Sequence, residues 1–282
     1  MASGGSAADV VNGLAERFTD SVRRAGSEQV TSPRVVRAVR HFAGDVAADA
    51  VLLDPACGIG TLLFALGAGP GARRHGQEAD PRSARLAQAR ADLAGLTRTE
   101  IAQGDSLRAD RWPGLKADLV VCDPPVSDTD WGREELLLDP RWELGTPSRA
   151  EGELAWLQHA YAHTAPGGRV VMVMPASVAY RKAGRRIRAE LVRRGILTQV
   201  TALAPGTAAA HSSPSICGIC ADRAPRTTRP APYAWSTSPP TTRTAPWSRG
   251  PGRSPRSPRS TCSTTRSTSP RAAASRSSTA TT

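Results

Sequence analysis

The chain has 282 residues and a formal net charge of +12 at pH 7, and the excess charge lies at one end. The last 60 residues, 223–282, contain 11 Arg, no Lys, Asp or Glu, and no Val, Ile, Leu, Met or Phe. Because nearly all of the excess charge lies in this segment, the chain is not a uniformly basic nucleic-acid-binding domain. The composition of the segment also cannot bury enough apolar surface to offset the entropy lost on folding. We predict a disordered tail rich in Arg, Ser, Thr and Pro over 223–282.

The rest of the chain has the size of one α/β domain. We predict a short amphipathic lead-in over 1–28 and a single domain over 29–222. No apolar run approaches the roughly 20 residues that span a bilayer, and the first residues lack the features of a secretory signal. The five Cys form no even disulfide framework, which is typical of a reducing compartment. We therefore expect a cytoplasmic protein without a membrane segment.

Short apolar runs alternate with helical patterns, which indicates βαβ units around a mostly parallel sheet with helices on both faces. We predict an α/β fold, Rossmann-like, with a seven-stranded sheet. The segment 127–150 shows no period and is predicted to be a long loop. The predicted strands are 50–53, 74–78, 100–103, 118–122, 169–174, 198–203 and 215–221. The predicted helices are 33–42, 61–67, 81–96, 151–164 and 183–194.

The turn after the first strand carries the most informative motif. It runs from Asp54 through Gly58 and Gly60 into a helix, so an acid and two glycines precede a helix N-terminus. A dinucleotide site would have a third glycine where this chain has Leu63, and an acid in the loop would repel a pyrophosphate. An acid suits a cationic ligand, and S-adenosylmethionine carries a sulfonium and an ammonium group. We therefore predict S-adenosylmethionine as the cofactor.

Acidic residues also end the next two strands. Glu78 lies 18 residues beyond Gly60, where a carboxylate can accept hydrogen bonds from ribose hydroxyls. Asp105 follows the third strand and can accept a hydrogen bond from an adenine amino group. Because ligands of doubly wound sheets collect at the carboxyl ends of strands, we expect these acids to line one cleft.

The fourth strand runs into Asp123-Pro124-Pro125-Val126. Two consecutive prolines fix an extended backbone and remove two N–H donors, which leaves carbonyl oxygens and the Asp123 carboxylate as acceptors at one point. Such acceptors can hold a planar NH2 group so that its nitrogen attacks a methyl carbon, and rate then comes from positioning and charge stabilisation. We predict Asp123, Pro124 and Pro125 as catalytic residues.

Taken in order, these motifs resemble those of N6-adenine DNA methyltransferases, in particular the modification subunits of type I restriction systems. The resemblance spans residues 30–222. The segments that carry it are Thr31-Ser32-Pro33, 54–60, Gly76-Gln77-Glu78, Gly104-Asp105, Asp123-Pro124-Pro125, Asp130-Trp131-Gly132 and 167–175.

The resemblance implies a methyltransferase catalytic domain over 29–222 that acts on an adenine flipped out of DNA. It implies that Asp123 and the Pro124 carbonyl accept hydrogens from the target amino group. The implied cofactor-binding residues are Thr31, Asp54, Ala56, Gly58, Gly60, Glu78 and Asp105, with Asp54, Gly58 and Gly60 at the methionine end, Glu78 at the ribose and Asp105 at the adenine.

The chain departs from the family pattern in two ways. The family usually has Tyr or Phe after the two prolines to stack on the flipped base, and Val126 here forfeits about 1–3 kcal/mol of stacking. Trp131 compensates only if the loop folds back, and we predict Val126 and Trp131 as the base-contacting residues. Family members also carry a helical domain and a target-recognition region, or use a specificity subunit. We expect a truncated member with DNA and a separate specificity subunit as partners, whose tail resembles a coding region translated in the wrong frame.

Three weaker patterns have alternative interpretations. Cys217 and Cys220 have the spacing of a zinc or redox pair, but the segment fits a strand better. His159 and His163 lie one helical turn apart, as in a metal pair, although a partly exposed helix face is the favoured interpretation and no structural metal is expected. The basic helix after the fifth strand fits either contacts to DNA phosphates or a solvated face. Its basic residues are Arg181, Lys182, Arg185, Arg186, Arg188, Arg193 and Arg194.

Two other functions stay open from the sequence. The same acceptor geometry suits any planar amino group, such as a glutamine side chain of a protein or a base in RNA. The chain is also compatible with an inactive remnant that binds only the cofactor or DNA.

Overall fold

The computed structural model describes residues 7–24, 31–204, 206–207, 215–221 and 234–236. The helices are α1 Ala7–Arg24, α2 Pro33–Ala43, α3 Thr61–Ala65, α4 Pro81–Leu93, α5 Gly152–Ala162 and α6 Arg185–Arg193, with a 3-10 turn at Ala176–Ala179. The strands are β1 Val51–Asp54, β2 Arg73–Glu78, β3 Thr99–Gln103, β4 Ala117–Cys122, β5 Thr164–Pro175, β6 Leu197–Ala202, β7 Ser215–Ala221 and β8 Ala234–Ser236.

The strands form one sheet in the order β3-β2-β1-β4-β5-β7-β6-β8. Strands β1 to β5 pair in parallel, and β7 lies antiparallel between β5 and β6. The strand order reverses direction at β1, so the cleft at the ends of β1 and β4 is the topological switch point where ligands bind in such sheets. The predicted α/β, Rossmann-like class with a mostly parallel sheet is confirmed.

The predicted number of strands is wrong for the described residues, because β8 adds an eighth. It lies in the tail that we predicted to be disordered and pairs in parallel with the edge strand β6. An edge strand offers unpaired N–H and C=O groups, and a short extended segment can pair with them through its backbone alone. Composition therefore could not reveal this strand. The rest of the predicted tail lies outside the described residues.

The central strands alternate their side chains between two apolar cores, one on each face of the sheet. Along β4, Leu119 and Val121 enter the core beneath α2 and α3, whereas Val120 and Cys122 enter the core beneath α5 and α6. This period of two, with both faces buried, explains why the strands appear in the sequence as continuous apolar runs. Helices cover both faces, as predicted.

A bulge at Pro166-Gly167-Gly168 interrupts the start of β5, just before the strand that the sequence predicted over 169–174. Thr164 pairs with Ala117 and Arg169 pairs with Leu119, so the ladder shifts register between these pairs. Gly167 has φ 79°, which accommodates the extra residues. The glycines therefore loop out within one long strand and do not precede it.

The long loop predicted over 127–150 contains turns and no helix or strand. It nevertheless contributes to the core, since Trp131, Trp142 and Leu144 are buried in the cluster beneath α5. None of the helices in the described part of the chain combines the length and apolar character needed to cross a bilayer.

Candidate active site

One cleft at the carboxyl edge of the sheet brings together several of the predicted site residues. Its lining includes Ala56, Glu78, Asp105, Pro125 and Trp131. These residues follow four neighbouring strands, β3, β2, β1 and β4, whose parallel order places their carboxyl ends side by side. Among the predicted acids, Glu78 and Asp105 line this cleft, whereas Asp54 and Asp123 are not among its lining residues.

The glycine turn after β1 is tied to the end of β2 by Glu78. The Gly58 N–H donates to Glu78 Oε2 at 2.8 Å, and the Asp80 N–H donates to Glu78 Oε1 at 2.8 Å. Each carboxylate oxygen keeps a further lone pair, so Glu78 is held rigidly and can still accept bonds from a ligand. Asp80 in turn caps α4 by accepting from the Ser83 N–H at 2.8 Å.

Gly60 is needed where the turn enters α3. Its φ is 80°, a left-handed conformation, and a Cβ atom there would lie 2.2 Å from the Phe64 ring. Gly58 also has a positive φ of 54°, but a Cβ at Gly58 would meet no atom within 4 Å. Both glycines therefore permit a left-handed backbone conformation, and Gly60 in addition leaves space for the Phe64 ring.

Three carboxylates near the switch point repel one another. Burial raises the pKa of Asp54 well above its usual range, the Ala56 N–H bond opposes this shift, and the charges of Asp123 and Glu78 add to it. Asp54 is only 1 % exposed. Within the described residues no ion pair joins Asp54, Glu78 or Asp123 to a cation. The site therefore has an excess of negative charge that a cationic ligand would compensate. These carboxylates fit the sulfonium and ammonium groups of S-adenosylmethionine.

Asp105 is more heavily engaged than the sequence predicted. Its Oδ1 accepts from the Leu107 and Arg108 N–H groups at 2.9 and 3.2 Å, and its Oδ2 pairs with Arg108 Nη1 at 2.9 Å. Arg108 also pairs with Asp130 at 3.2 Å and Glu135 at 3.1 Å in the 127–150 loop. Arg108, which the sequence analysis missed, thus links the predicted adenine site to that loop. Its position three residues after Asp105 was the available signal.

Asp123 directly follows the fourth strand as predicted, and its carboxylate accepts a hydrogen bond from Thr31. Thr31 Oγ1 donates to Asp123 Oδ2 at 2.9 Å, which connects the start of α2 to the proline motif. Burial raises the pKa of Asp123 to about 6, and the Thr31 hydrogen bond opposes the rise. Pro124 is buried, while Pro125 is partly exposed at the cleft. Thr31, predicted to bind the cofactor, contacts the predicted catalytic acid.

The two residues predicted to contact the base differ in exposure. Val126 is partly exposed, whereas Trp131 is only 1 % exposed. The Trp131 ring packs edge-to-face on Trp142, with ring centroids 5.6 Å apart. The loop does fold back, and Trp131 packs in the core while it also contributes to the lining of the cleft. In this conformation Trp131 offers no open face for stacking.

The sequence analysis missed a buried ionic cluster beneath the proline motif. Ser127, directly after Val126, has φ 56°, the only positive φ of a non-glycine residue in the described chain. Its N–H donates to Glu153 Oε1 at 3.3 Å, and Arg181 Nη2 contacts Glu153 Oε2 at 2.6 Å. The signal was a glutamate in the first turn of a helix that is otherwise almost entirely apolar.

The histidine pair of α5 is buried, so the favoured interpretation of a partly exposed helix face is wrong. His159 and His163 are 1 % and 3 % exposed, because α5 is covered on all sides. With Asp110 they bring three ligand atoms within 4.8 Å of one another. Hydrogen bonds already use these nitrogens: Arg141 Nη1 lies 2.7 Å from His159 Nδ1, and His163 lies 3.0 Å from the Leu115 carbonyl and 2.9 Å from Asp110.

The Arg141 contact also fixes the tautomer of His159. An arginine can only donate, so His159 Nδ1 accepts and its Nε2 carries the hydrogen, leaving no free lone pair for a metal. Cys217 and Cys220 both lie within β7, in agreement with the strand interpretation.

Most arginines of the basic helix region are engaged within the protein. Arg181 and Arg188 belong to the buried cluster, since Arg188 donates to the Arg181 carbonyl at 2.7 Å. Arg193 and Arg194 both pair with Glu190. The solvated-face interpretation therefore describes α6 better than a continuous phosphate-binding surface.

A comparison with known families decides the assignment. A family model described as N-6 DNA Methylase matches residues 6–219, which include all of the site described above. The chain belongs to this family.

Curated relatives of the chain are methylase subunits of type I restriction enzymes. The HindI methylase subunit of Haemophilus influenzae is 31% identical over 101 residues, covering 36% of this chain and 23% of the relative. The MjaIX methylase subunit of Methanocaldococcus jannaschii is 26% identical over 171 residues, covering 55% of this chain and 30% of the relative. The chain thus spans less than a third of the length of these relatives.

Solved structures support the same fold. The type I restriction-modification methyltransferase subunit from Streptococcus thermophilus has a TM-score of 0.64 at 23% identity, covering 70% of this chain and 45% of that one. The M protein of the type I restriction enzyme EcoKI has a TM-score of 0.56 at 20% identity, covering 69% and 44%. At these identities the likeness establishes the methyltransferase fold.

Proposed function

We propose that this N-6 DNA methylase transfers a methyl group from S-adenosylmethionine to the N6 amino group of adenine in DNA. The observation that carries the proposal is the set of acids Asp54, Glu78 and Asp123 at adjacent strand ends, without a cation to neutralise them in the described residues. When bound, S-adenosylmethionine supplies an electrophilic methyl group on a positively charged sulfur. The acids hold this charge in place, and the proline motif faces the acceptor.

The chain's own residues provide three actions in this proposal. Glu78 and the Gly58 turn hold the ribose and methionine portions, since Glu78 is fixed by two N–H donors. The Asp123 carboxylate and the Pro124 carbonyl accept the two hydrogens of the adenine amino group, which directs the nitrogen lone pair out of the ring plane. Asp123 also compensates the positive charge that develops on nitrogen as the new N–C bond forms.

One observation favours a second candidate, a protein that binds the cofactor without turnover. Val126 replaces the usual aromatic residue, and Trp131 is 1 % exposed, so neither side chain offers an open ring face to a flipped base. A missing stacking partner costs about 1–3 kcal/mol of base binding. The alternative acceptors, a protein glutamine or an RNA base, have the same requirement for Asp123 and Pro124.

Calorimetry and methyl transfer together distinguish these functions. The full chain is titrated with S-adenosylmethionine and then incubated with tritiated cofactor and unmethylated DNA, RNA or a protein extract, with and without an added specificity subunit of a type I system. The proposal expects binding and label in N6-methyladenine, both absent or strongly reduced in Glu78→Ala. Binding with no label in any acceptor would leave only the second candidate. Label in protein or RNA alone would replace DNA as the substrate.

A further inference from the structure

The buried cluster beneath the proline motif sets two glutamates, Glu151 and Glu153, against two arginines, Arg181 and Arg188. The carboxylates of Glu151 and Glu153 are both 1 % exposed, and Arg181, which is 25 % exposed, bridges them. Arg181 Nε lies 3.2 Å from Glu151 Oε1, and its Nη2 lies 2.6 Å from Glu153 Oε2. Burial raises the pKa of Glu151, the charges of Arg181 and Arg188 oppose this shift, and the charge of Glu153 adds to it. Removal of one member of such a buried cluster leaves the remaining charges uncompensated, which is strongly destabilising.

The cluster reaches the proline motif through one backbone hydrogen bond. Glu153 Oε1 accepts the N–H of Ser127 at 3.3 Å. Ser127 is two residues after Pro125 and has φ 56°, a left-handed conformation that is unfavourable for a non-glycine residue. Such a conformation persists only where surrounding contacts impose it. The Glu153 carboxylate provides such a contact to the Ser127 backbone.

Packing leaves little freedom between α5 and the same turn. A Cβ at Gly152, the first residue of α5, would lie 2.6 Å from the Asp128 carbonyl oxygen and 3.2 Å from Trp131 Cδ1. The start of α5 therefore presses directly on the segment that follows the proline motif. Glu153, the next residue of α5, is placed to hold that segment by accepting the Ser127 N–H.

We propose that Glu153 is a positioning residue for methyl transfer, with Arg181 as the counter-ion that orients its carboxylate. Glu153 holds the left-handed turn at Ser127, and this turn sets the direction in which Asp123 and the Pro124 carbonyl face the acceptor nitrogen. The inference rests on the proposed function for its catalytic consequence, while the link between Glu153 and the turn stands on the contacts alone. A displacement of about 1 Å in such acceptors can lower a rate about 100-fold.

Full-length Glu153→Ala, Glu153→Gln and a matched control, Glu190→Ala, test the proposal. Glu190 is an acid that also pairs with arginines, but on the exposed side of α6. The first readout is amide hydrogen exchange of the 124–131 segment without any ligand. The second is the split between kcat, KM for DNA and the Kd for S-adenosylmethionine.

In Glu153→Ala we expect exchange of 124–131 to rise at least tenfold, kcat to fall about 100-fold, and the cofactor Kd to stay within twofold of wild type, because Asp54 and Glu78 are untouched. Glu190→Ala should change none of these. Equal exchange in Glu153→Ala and Glu190→Ala would overturn the proposal, as would a cofactor Kd that weakens in parallel with kcat.

Two further results separate a failure of this proposal from a folding defect and from a failure of the proposed function. If Glu153→Ala does not fold, Glu153→Gln decides, because its NH2 group must face one of the two donors, Ser127 N–H or Arg181, and loses that contact; exchange of 124–131 and kcat that both match wild type would then refute the role. If the wild type methylates no DNA but exchange still rises in the variants, the proposed function fails while the positioning of the turn by Glu153 stands.

Discussion

Thr31 and Asp123 are 92 positions apart in the chain, and their side chains meet in a 2.9 Å hydrogen bond at the carboxyl edge of the sheet. The next residue, Ser32, caps α2 by accepting from the Val35 N–H at 3.2 Å. A single short segment therefore starts a helix and supports the predicted catalytic acid. The bond favours the charged form of Asp123 and limits the pKa rise that burial causes.

The raised pKa of Asp123 predicts a stability profile with a defined sign. Its pKa is about 6 in the folded chain, against about 3.9 in an unfolded chain. Between these values the folded state binds more protons, so this residue's contribution to unfolding free energy is present below about pH 4 and lost by about pH 6. We expect Asp123→Asn to remove this decline and to be more stable than wild type at pH 7.5, by on the order of 2 kcal/mol.

Denaturant unfolding of wild type and Asp123→Asn from pH 4 to 8 measures this difference directly. The difference curve should change between pH 4 and 6 and stay flat above pH 7. Asp118→Asn is a suitable control, since Asp118 accepts the Val51 N–H at 2.8 Å away from the cleft. A flat difference curve throughout would contradict the shifted pKa.

Removal of the Thr31 hydroxyl should move the same titration. Thr31→Val keeps the side-chain shape but removes the donor that opposes the pKa rise. We expect the acid limb of methyl transfer, or of the stability profile if transfer is absent, to move to higher pH. The loss of a hydrogen bond to a charged group costs about 1.5–3 kcal/mol. An unchanged midpoint in Thr31→Val would show that this bond does not govern Asp123.

The three glycines around α3 form a graded test of the cofactor turn. Gly60→Ala combines a φ of 80° with a 2.2 Å clash on Phe64, Gly58→Ala has only the φ of 54°, and Gly67→Ala has neither. The left-handed conformation costs alanine about 1–2 kcal/mol. We expect stability to fall most in Gly60→Ala, by about that amount at Gly58, and little at Gly67.

Thermal melts and cofactor calorimetry of the three variants check the order. Gly60→Ala should also weaken S-adenosylmethionine binding at least tenfold, because its clash displaces the turn that Glu78 holds. Equal affinities in Gly60→Ala and Gly67→Ala would contradict the placement of the cofactor.

The sequence predicted this turn well because each requirement is local. A left-handed φ selects glycine at Gly58 and Gly60, and parallel strand order brings the ends of β1, β2 and β4 together whatever the intervening residues are. The cluster of Glu153 with Arg181 and Ser127 escaped prediction, because its members lie on three separate elements and no local pattern pairs them. The burial of Trp131 escaped prediction for a related reason, since it depends on Trp142 and on how an aperiodic loop packs.

Cofactor affinity should depend on pH in a way that reports the charge of the cleft. Asp54, Glu78 and Asp123 repel one another, and a bound cation favours their charged forms. We expect S-adenosylmethionine affinity to fall as the pH drops through about 6, where Asp123 takes up a proton. S-adenosylhomocysteine lacks the sulfonium charge and should show a weaker dependence. Calorimetry of both ligands from pH 5 to 8 tests this, and identical pH profiles would exclude a sulfonium beside Asp123.

The buried histidines predict a second pH effect with the opposite sign. Burial lowers the pKa of His159 well below its usual value, and the charges of His163 and Arg141 add to the shift. An unfolded histidine takes up a proton near pH 6.5, so the contribution of His159 to stability is present above that value and is lost on acidification. His159→Gln should remove this loss, so that the variant's stability relative to wild type rises as the pH falls from 7 to 5. Exposed His41, replaced by Gln in the same way, is the control for this pH effect.

The same cluster gives a prediction for metal binding. Added zinc should leave the melting temperature of the wild type unchanged, because Arg141 already donates to His159 Nδ1. A zinc-induced rise in melting temperature that disappears in His159→Gln would show instead that this cluster binds metal.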